Sequence, residues 1–223
     1  MQRKEPLINN QIYHIYNRSI AGYKIFNMEP EYLRMVKMIR YYHVKDVPFK
    51  FSEYIRLKEV ERNGFTKHFL GTFRDKEKHI QIICYCLMPT HLHLVLKQLK
   101  KNGISIFTGN LLNSYSKYFN TKHRRKGPLW EGKFNNVLVE TDEQLIHLTR
   151  YIHLNPVTEE IVKKPEFWAY SSYNEYLLNI TNDEGICEYE NVLDISSTYY
   201  KKFVNDHVSY QRDLAKIKHL LLE

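Results

Sequence analysis

Two histidines separated by one leucine, in the stretch MPTHLHLVLK from Met88 to Lys97, have the spacing of a metal-ligand pair. Side chains of a β-strand alternate between its two faces, so His91 and His93 are predicted to share one face and to lie close enough to bind one cation. The leucines that alternate with them then face the core. Because His-x-His also occurs by chance, the pair alone favours two surface histidines of a strand, and a third ligand is needed to change that interpretation.

The segment RYIHLNPV offers such a ligand on a helix predicted from about residue 141 to 155. Tyr151 and Asn155 are four residues apart, so they lie one above the other on one helix face. Asn155 could give its side-chain oxygen to a metal held by His91 and His93, with the Tyr151 hydroxyl in reach of a phosphate bound there. The commoner roles, a half-buried helix tyrosine and a turn residue before Pro156, remain open for each residue alone.

A tyrosine hydroxyl has a pKa of about 10, so it attacks a phosphodiester only with help from a base or a metal. Its attack on DNA would leave a phosphotyrosine and a free 3′-hydroxyl, which conserves the bond energy for rejoining. Imidazole and oxygen ligands together suit Mg²⁺ or Mn²⁺, although Zn²⁺ also binds histidines. Tyr115 and Tyr118 also follow the histidines, but they continue an apolar helical stripe and are predicted to belong to the core.

The order of the predicted elements is β-α-β-β-α-β, with one more helix behind. This is the ferredoxin-like plan of the α+β class, an antiparallel sheet with helices packed on one face and the other face open. Strands are predicted by alternation and β-forming residues, and helices by apolar spacings of three and four. The predicted strands are 11–16, 80–87, 91–97 and 135–139, and the predicted helices are 29–43, one from 104 onward, and one that opens with a Thr141–Gln144 capping box and is closed by Pro156.

One main domain, residues 1–156, is predicted, followed by a helical C-terminal extension, residues 157–223. Within the domain, residues 44–78 are charge-rich without clear periodicity, and we interpret them as an insertion with at most minor elements. Helices are expected at about 196–206 and 208–222 in the extension.

The chain is basic, with a formal net charge of +8, which favours an anionic partner such as nucleic acid. Its longest apolar run is far shorter than the ~20 residues of a membrane span, so a cytoplasmic protein that does not enter membranes is expected. The three cysteines show no disulfide framework. Cys84 and Cys86 could form a Cys₂His₂ zinc site with the two histidines, but buried thiols are the more frequent case.

A basic loop with one aromatic ring follows the second predicted helix of the sheet domain. Cations and aromatic rings together are typical of proteins that bind single strands, where they contact phosphates and stack on bases. A solvated basic loop is the simpler alternative. The candidate DNA-binding residues are Lys122, His123, Arg124, Arg125, Lys126, Trp130 and Lys133, with Arg18 and Lys24 after the first strand as weaker candidates.

The segments MPTHLHLVL, GPLWEGKF and RYIHLNPV resemble the single-tyrosine, His-hydrophobic-His (HUH) transposases, most closely the branch called REP-associated tyrosine transposases. The resemblance runs from about Tyr13 to Tyr176 and implies a ferredoxin-like catalytic domain. It also implies that His91, His93 and Asn155 bind a divalent metal, Mg²⁺ or Mn²⁺, and that Tyr151 is the nucleophile. Thr90 stands where the family usually has asparagine.

The same resemblance implies cleavage and rejoining of single-stranded or hairpin DNA from palindromic repeats through a 5′-phosphotyrosine intermediate. It leaves a monomer and a homodimer both open. Two other functions compete with this hypothesis. One is a ferredoxin-like module that binds nucleic acid without cutting it. The other is a phosphoesterase with paired His-x-Thr/Ser motifs, which we rank last.

Overall fold

The computed structural model describes residues 6–180 and 185–210, and its centre is one antiparallel sheet of four strands. The strands lie in the order β2–β3–β1–β4 once they are numbered along the chain, so the strand that carries His91 and His93 is an inner one. The predicted α+β class and antiparallel sheet are confirmed. The strands are β1 (Ile12–Arg18), β2 (Ile80–Met88), β3 (His91–Gln98) and β4 (Asn135–Val139).

Helices cover much of the sheet within the described residues. Two of them, α1 and α5, pack against each other and follow β1 and β3 in the chain, as the β-α-β-β-α-β plan requires. In the described ranges no helix has the length and apolar character needed to cross a membrane. The helices are α1 (Glu29–Tyr42), α2 (Phe51–Tyr54), α3 (Lys58–Asn63), α4 (Phe65–Phe73), α5 (Gly103–Lys122), α6 (Asp142–Thr158), α7 (Tyr173–Tyr176) and α8 (Ser197–Asn205).

The hairpin of β2 and β3 turns at Pro89, as the sequence predicts. Met88 pairs with His91 directly across the turn, and Thr90 accepts a hydrogen bond from the Ser19 backbone. The turn is therefore held from the neighbouring strand β1. The alternating leucines of β3 are at most 1% exposed, as expected for core-facing side chains.

The second face of the sheet differs from the expectation, because it is only partly open. Helix α6 packs against β2 on the same face as His91 and His93. Cys84 of β2 and His153 of α6 lie in this contact, with Cys84 Sγ 3.3 Å from His153 Nε2. The apolar side of α6 is buried in this contact with β2. The other side of the helix lies next to the two histidines.

The start of α6 is the predicted capping box. The Thr141 hydroxyl accepts a hydrogen bond from the Gln144 backbone, and the Gln144 side chain accepts one from the Glu140 backbone. The predicted end at Pro156 is wrong, because the helix continues to Thr158. Proline removes its own backbone donor and crowds the turn before it, but it does not block the turn after it, where the Glu159 backbone still donates to Asn155.

Residues 44–78 are more structured than predicted, since they contain α2, α3 and α4. Each of these short helices buries one or more apolar side chains. The Tyr54 ring lies 4.7 Å from that of Tyr41 in α1, and Phe73 contacts both rings. Segments this short show no clear periodicity, so their contribution to the core is not visible as a sequence pattern.

The chain after α6 extends the sheet beyond β2. Leu87 donates a backbone hydrogen bond to Tyr170, and Ser172 donates one to Tyr85, so this segment covers the outer edge of β2. Helix α8 packs on α6 and confirms the helix predicted at 196–206. The helix predicted at 208–222 lies mostly outside the described residues. The domain boundary after residue 156 stays a prediction.

Candidate active site

His91 and His93 lie side by side on the face that α6 partly covers. Their ring centroids are 5.0 Å apart, and each residue is only 8% exposed, so they are not ordinary surface histidines. In the strand register, His91 is opposite Arg18 and His93 is opposite Tyr16 of β1. The predicted pairing of the two imidazoles on one face is therefore present.

Helix α6 brings its predicted residues to this pair. The ring of Tyr151 meets that of His93 edge-on, with centroids 6.1 Å apart. Two turns later, Glu159 places a carboxylate oxygen 3.6 Å from His91 Nε2. Asn155 lies on the same helix face one turn from each of them, so it falls between the two contacts.

Asn155 has the properties expected of a metal ligand. It is 6% exposed, and its side-chain nitrogen is buried without a hydrogen-bond partner among the described residues. A buried polar atom is normally satisfied, so an unsatisfied one requires an explanation. Rotating the carboxamide by half a turn exchanges nitrogen and oxygen, which would put an oxygen donor at the unsatisfied position.

The two imidazoles are held neutral by their surroundings. Burial, with a smaller effect of the Arg18 charge, lowers the pKa of His91 to about 4. The pKa of His93 falls well below its usual value because of burial and the neighbouring His14, His91 and Arg18. A neutral imidazole has a free lone pair, so both rings can bind a metal at neutral pH.

The phenol of Tyr151 is not activated by its surroundings. Its partial burial raises the pKa, Arg18 opposes this, and Glu159 and Tyr16 raise the pKa further. The hydroxyl is therefore protonated at neutral pH and needs a polarised phosphorus or a proton acceptor to react. Tyr151 is nevertheless 44% exposed, so a substrate can reach it from solvent.

His14 belongs to the same site and was missed by the sequence reasoning. Its Nε2 lies 2.9 Å from His93 Nδ1, and the two rings stack. Burial lowers the pKa of His14 to about 4, so this ring is also neutral. The signal was present in the sequence, because alternation along β1 puts His14, Tyr16 and Arg18 on one face.

The residues present fit a metal with mixed nitrogen and oxygen ligands. In the described part of the chain, no group of three or more His, Cys, Asp or Glu side chains could hold a metal ion. The predicted set does not contradict this, since its third donor is the amide of Asn155. The Cys₂His₂ zinc alternative is wrong: Cys84 and Cys86 are fully buried, and Cys84 contacts His153 while Cys86 contacts Met88.

Two predicted DNA-binding residues, both partly exposed, bind a buried carboxylate of the protein itself. Glu31 has no exposed surface, and one of its oxygens lies 2.8 Å from Lys122 Nζ and 2.6 Å from His123 Nε2. Burial alone would raise the pKa of Glu31, but hydrogen bonds from Lys122, the Asn27 backbone and His123 lower it to about 2. Lys122 and His123 thus link the end of α5 to the start of α1.

Trp130 is also part of the core. It is 8% exposed, and its ring nitrogen donates a hydrogen bond to the Leu112 carbonyl, so its ring cannot stack on a DNA base without moving. Arg125 hydrogen-bonds to the Asn120 side chain and Gly127 carbonyl of its own loop. The predicted cations that are exposed are Arg18, Lys24, Lys122, Arg124, Lys126 and Lys133, and of these Lys122 is paired with Glu31.

Tyr115, the first competitor of Tyr151, is fully buried, and its hydroxyl donates to the Ile25 carbonyl. Tyr118 is partly buried and lies under the guanidinium of Arg34, at 4.1 Å from the ring centroid. Neither tyrosine belongs to the histidine face of the sheet. Of these three tyrosines, Tyr151 is therefore the one that is exposed and lies next to a candidate metal ligand.

Comparison with known proteins gives a family match over the part of the chain that carries these residues. Residues 56–155 match the family described as "Transposase IS200 like", a range that includes both histidines, Tyr151 and Asn155. The predicted resemblance to the tyrosine transposases is confirmed. A putative REP-associated tyrosine transposase from Haemophilus influenzae is 25% identical over 123 residues, which cover 49% of this chain and 69% of that relative.

The fold is also similar to a solved structure. It is a REP-associated tyrosine transposase bound to a REP hairpin, with a TM-score of 0.51 and 12% sequence identity. The similarity covers 88% of this chain and 96% of the other. At this identity the match supports the fold, and it extends beyond the sheet into the C-terminal part of the chain.

Proposed function

We propose that this chain is a metal-dependent strand transferase for single-stranded DNA, with Tyr151 as nucleophile and His91, His93 and Asn155 as metal ligands. The observation that carries the proposal is the contact of Tyr151 with His93, beside the unsatisfied amide of Asn155. Together these observations support a site that combines a nucleophile with three donors of the types a divalent metal requires. The family match over these residues supports the same roles.

The reaction we propose is a transesterification. The Tyr151 oxygen bonds to the phosphorus of a phosphodiester, and the bond from phosphorus to the 3′-oxygen breaks. The phenol loses its proton, the 3′-oxygen gains one, and the DNA 5′ end is left on the tyrosine. Attack by a 3′-hydroxyl in the reverse direction rejoins a strand and restores Tyr151.

Each protein group has a task in this step. His91, His93 and Asn155 would hold Mg²⁺ or Mn²⁺, which would draw electron density from the phosphate and make its phosphorus easier to attack. Arg18, exposed and opposite His91, adds a positive charge where a phosphate would lie. The contact with His93 keeps the Tyr151 ring on this side of α6.

The substrate we propose is hairpin DNA from a palindromic repeat, next to a short unpaired sequence. The structural neighbour is bound to a REP hairpin, and this chain has a net charge of +8 that favours an anionic partner. The exposed Arg124, Lys126 and Lys133 are the candidates for phosphate contacts. A binding module without catalysis is less well supported, because Trp130, its proposed stacking residue, is buried.

Incubation of the protein with end-labelled hairpin DNA and Mn²⁺ tests the proposal. We expect a protein–DNA adduct that survives denaturation, and none when EDTA is present. His93→Ala should also give no adduct while still binding the hairpin. Cleavage products without any covalent adduct would contradict the tyrosine mechanism, and adduct formation in EDTA would contradict the role of the metal.

A further inference from the structure

His14 lies next to His93 on the adjacent strand of the sheet. Strand pairing puts Tyr16 opposite His93 and Val95 opposite His14, so the two histidines are diagonal neighbours on adjacent strands. Their rings are stacked with centroids 5.1 Å apart, and His14 Nε2 lies 2.9 Å from His93 Nδ1. This distance is that of a hydrogen bond between the two rings.

A hydrogen bond between two neutral imidazoles has one of two proton arrangements. If His14 donates, His93 carries its own proton on Nε2 and has no lone pair left for a cation. If His93 donates from Nδ1, its Nε2 lone pair is free. Only the second arrangement makes His93 a metal ligand without moving a proton.

We propose that His14 is a positioning residue that accepts a hydrogen bond from His93 Nδ1 and thereby keeps His93 Nε2 free to bind the divalent metal. This inference rests on the proposed function, since it assigns a task toward the same metal. Histidine ligands commonly donate their second ring nitrogen to an outer partner, which fixes both ring orientation and tautomer. His14 is the outer partner that this chain supplies.

The arrangement around His91 supports the same division of the ring nitrogens. His91 Nδ1 lies 3.0 Å from the Thr90 hydroxyl, and its Nε2 is the atom that faces Glu159 of α6. Both histidines thus have a partner at Nδ1. For His93, the Nε2 atom is the ring nitrogen that remains for a cation.

His14 itself does not fit the role of a metal ligand. Its Nε2 is occupied by His93, and among residues 6–180 and 185–210 no three His, Cys, Asp or Glu side chains form a group that could hold a metal. The Tyr16 ring, 5.0 Å away, and the stacked His93 ring confine the His14 ring on two sides. Its orientation toward His93 is therefore built into the sheet.

Two substitutions separate the hydrogen bond from the packing. His14→Phe keeps a stacked ring but removes the acceptor, whereas His14→Gln keeps an oxygen acceptor at similar reach. We expect His14→Phe to bind Mn²⁺ about 10- to 100-fold more weakly than the unaltered protein, and His14→Gln to lie within about threefold of it. Calorimetric titration of the full chain with Mn²⁺, without DNA, measures both, and His147→Phe on exposed α6 surface serves as the control.

A second readout is the tautomer of His93 in the metal-free protein, observed by ¹⁵N NMR of the histidine rings and assigned with His93→Ala. We expect the Nδ1–H form in the unaltered protein and in His14→Gln, and a mixture of forms in His14→Phe. An Nε2–H form in the unaltered protein would overturn the inference, whether or not any variant folds.

The calorimetry also distinguishes this inference from the proposed function. If His93→Ala binds Mn²⁺ as tightly as the unaltered protein, the proposed metal site is wrong. If His93→Ala loses binding but His14→Phe does not, the metal site stands and the role of His14 is wrong. Equal weakening in His14→Phe and His14→Gln would also overturn it, because loss of packing would then explain both.

Discussion

The ring of Tyr151 on helix α6 meets the ring of His93 on strand β3 edge-on, with their centroids 6.1 Å apart. This contact joins the start of β3, close to the hairpin turn, to a helix that begins about 50 residues later in the chain. It places an exposed phenol beside two buried, neutral imidazoles. The functional proposal depends on this contact more than on any single residue type.

The amide of Asn155 provides the first prediction. Asn155→Ala removes the proposed oxygen donor and should weaken Mn²⁺ binding by about 10- to 100-fold. Asn155→Asp keeps an oxygen donor and should bind Mn²⁺ at least as tightly as the unaltered protein. Calorimetric titration measures both, with Asn113→Ala on the exposed side of α5 as control. Unchanged affinity in Asn155→Ala would exclude Asn155 from the metal site.

His153 provides a prediction on pH dependence. It is fully buried between Ser172 and Tyr200, and burial lowers its pKa to about 3. The unfolded chain binds a proton near its ordinary pKa of about 6.5, so between that pH and about 3 unfolding takes up a proton. The free energy of unfolding should therefore decrease as pH falls through this range.

His153→Gln removes this titrating group. The slope of the unfolding free energy against pH, measured by urea denaturation between pH 6.5 and 4.5, should fall by up to about 1.4 kcal/mol per pH unit. His147→Gln, on the exposed side of the same helix, is the control. An unchanged slope in His153→Gln would mean that His153 is not held neutral in the folded protein.

The candidate site residues could be predicted because their placement depends on local periodicity. Alternation put His91 and His93 on one strand face, and helical spacing put Tyr151 and Asn155 together. Neither spacing reveals which strand α6 packs on. The prediction that the two pairs meet therefore depended on the order of the elements and on the family resemblance. The same alternation predicts which face of β1 carries His14. Its contact with His93 can be recognised only once β1 and β3 are known to be adjacent.

The basic loop shows what local patterns cannot reveal. Lys122 and His123 look like phosphate-binding residues, but their partner Glu31 is about 90 residues earlier in the chain. The same holds for Trp130. The composition of the loop predicts that its ring stacks on DNA, but the ring is buried in the core. Charge and aromatic content alone do not distinguish a side chain that faces solvent from one that faces a distant element.

This difference gives a prediction within the basic loop. Arg124→Ala and Lys126→Ala should each weaken hairpin DNA binding and reduce the salt dependence of log Kd by about one unit. Filter binding at several salt concentrations measures this effect.

Glu31→Gln leaves Lys122 and His123 without their buried carboxylate and should destabilise the fold by about 3 kcal/mol. Urea denaturation measures this loss of stability. Full stability of Glu31→Gln would show that the buried cluster contributes nothing.

The most direct test of the central claim is to identify the tyrosine that becomes attached to DNA. The unaltered protein, Tyr151→Phe and Tyr118→Phe are each incubated with labelled hairpin DNA and Mn²⁺, and the adduct is digested for peptide mass spectrometry. We predict that the unaltered protein and Tyr118→Phe carry DNA on Tyr151, and that Tyr151→Phe binds the hairpin with unchanged affinity but forms no adduct. A covalent adduct in Tyr151→Phe would contradict the assignment.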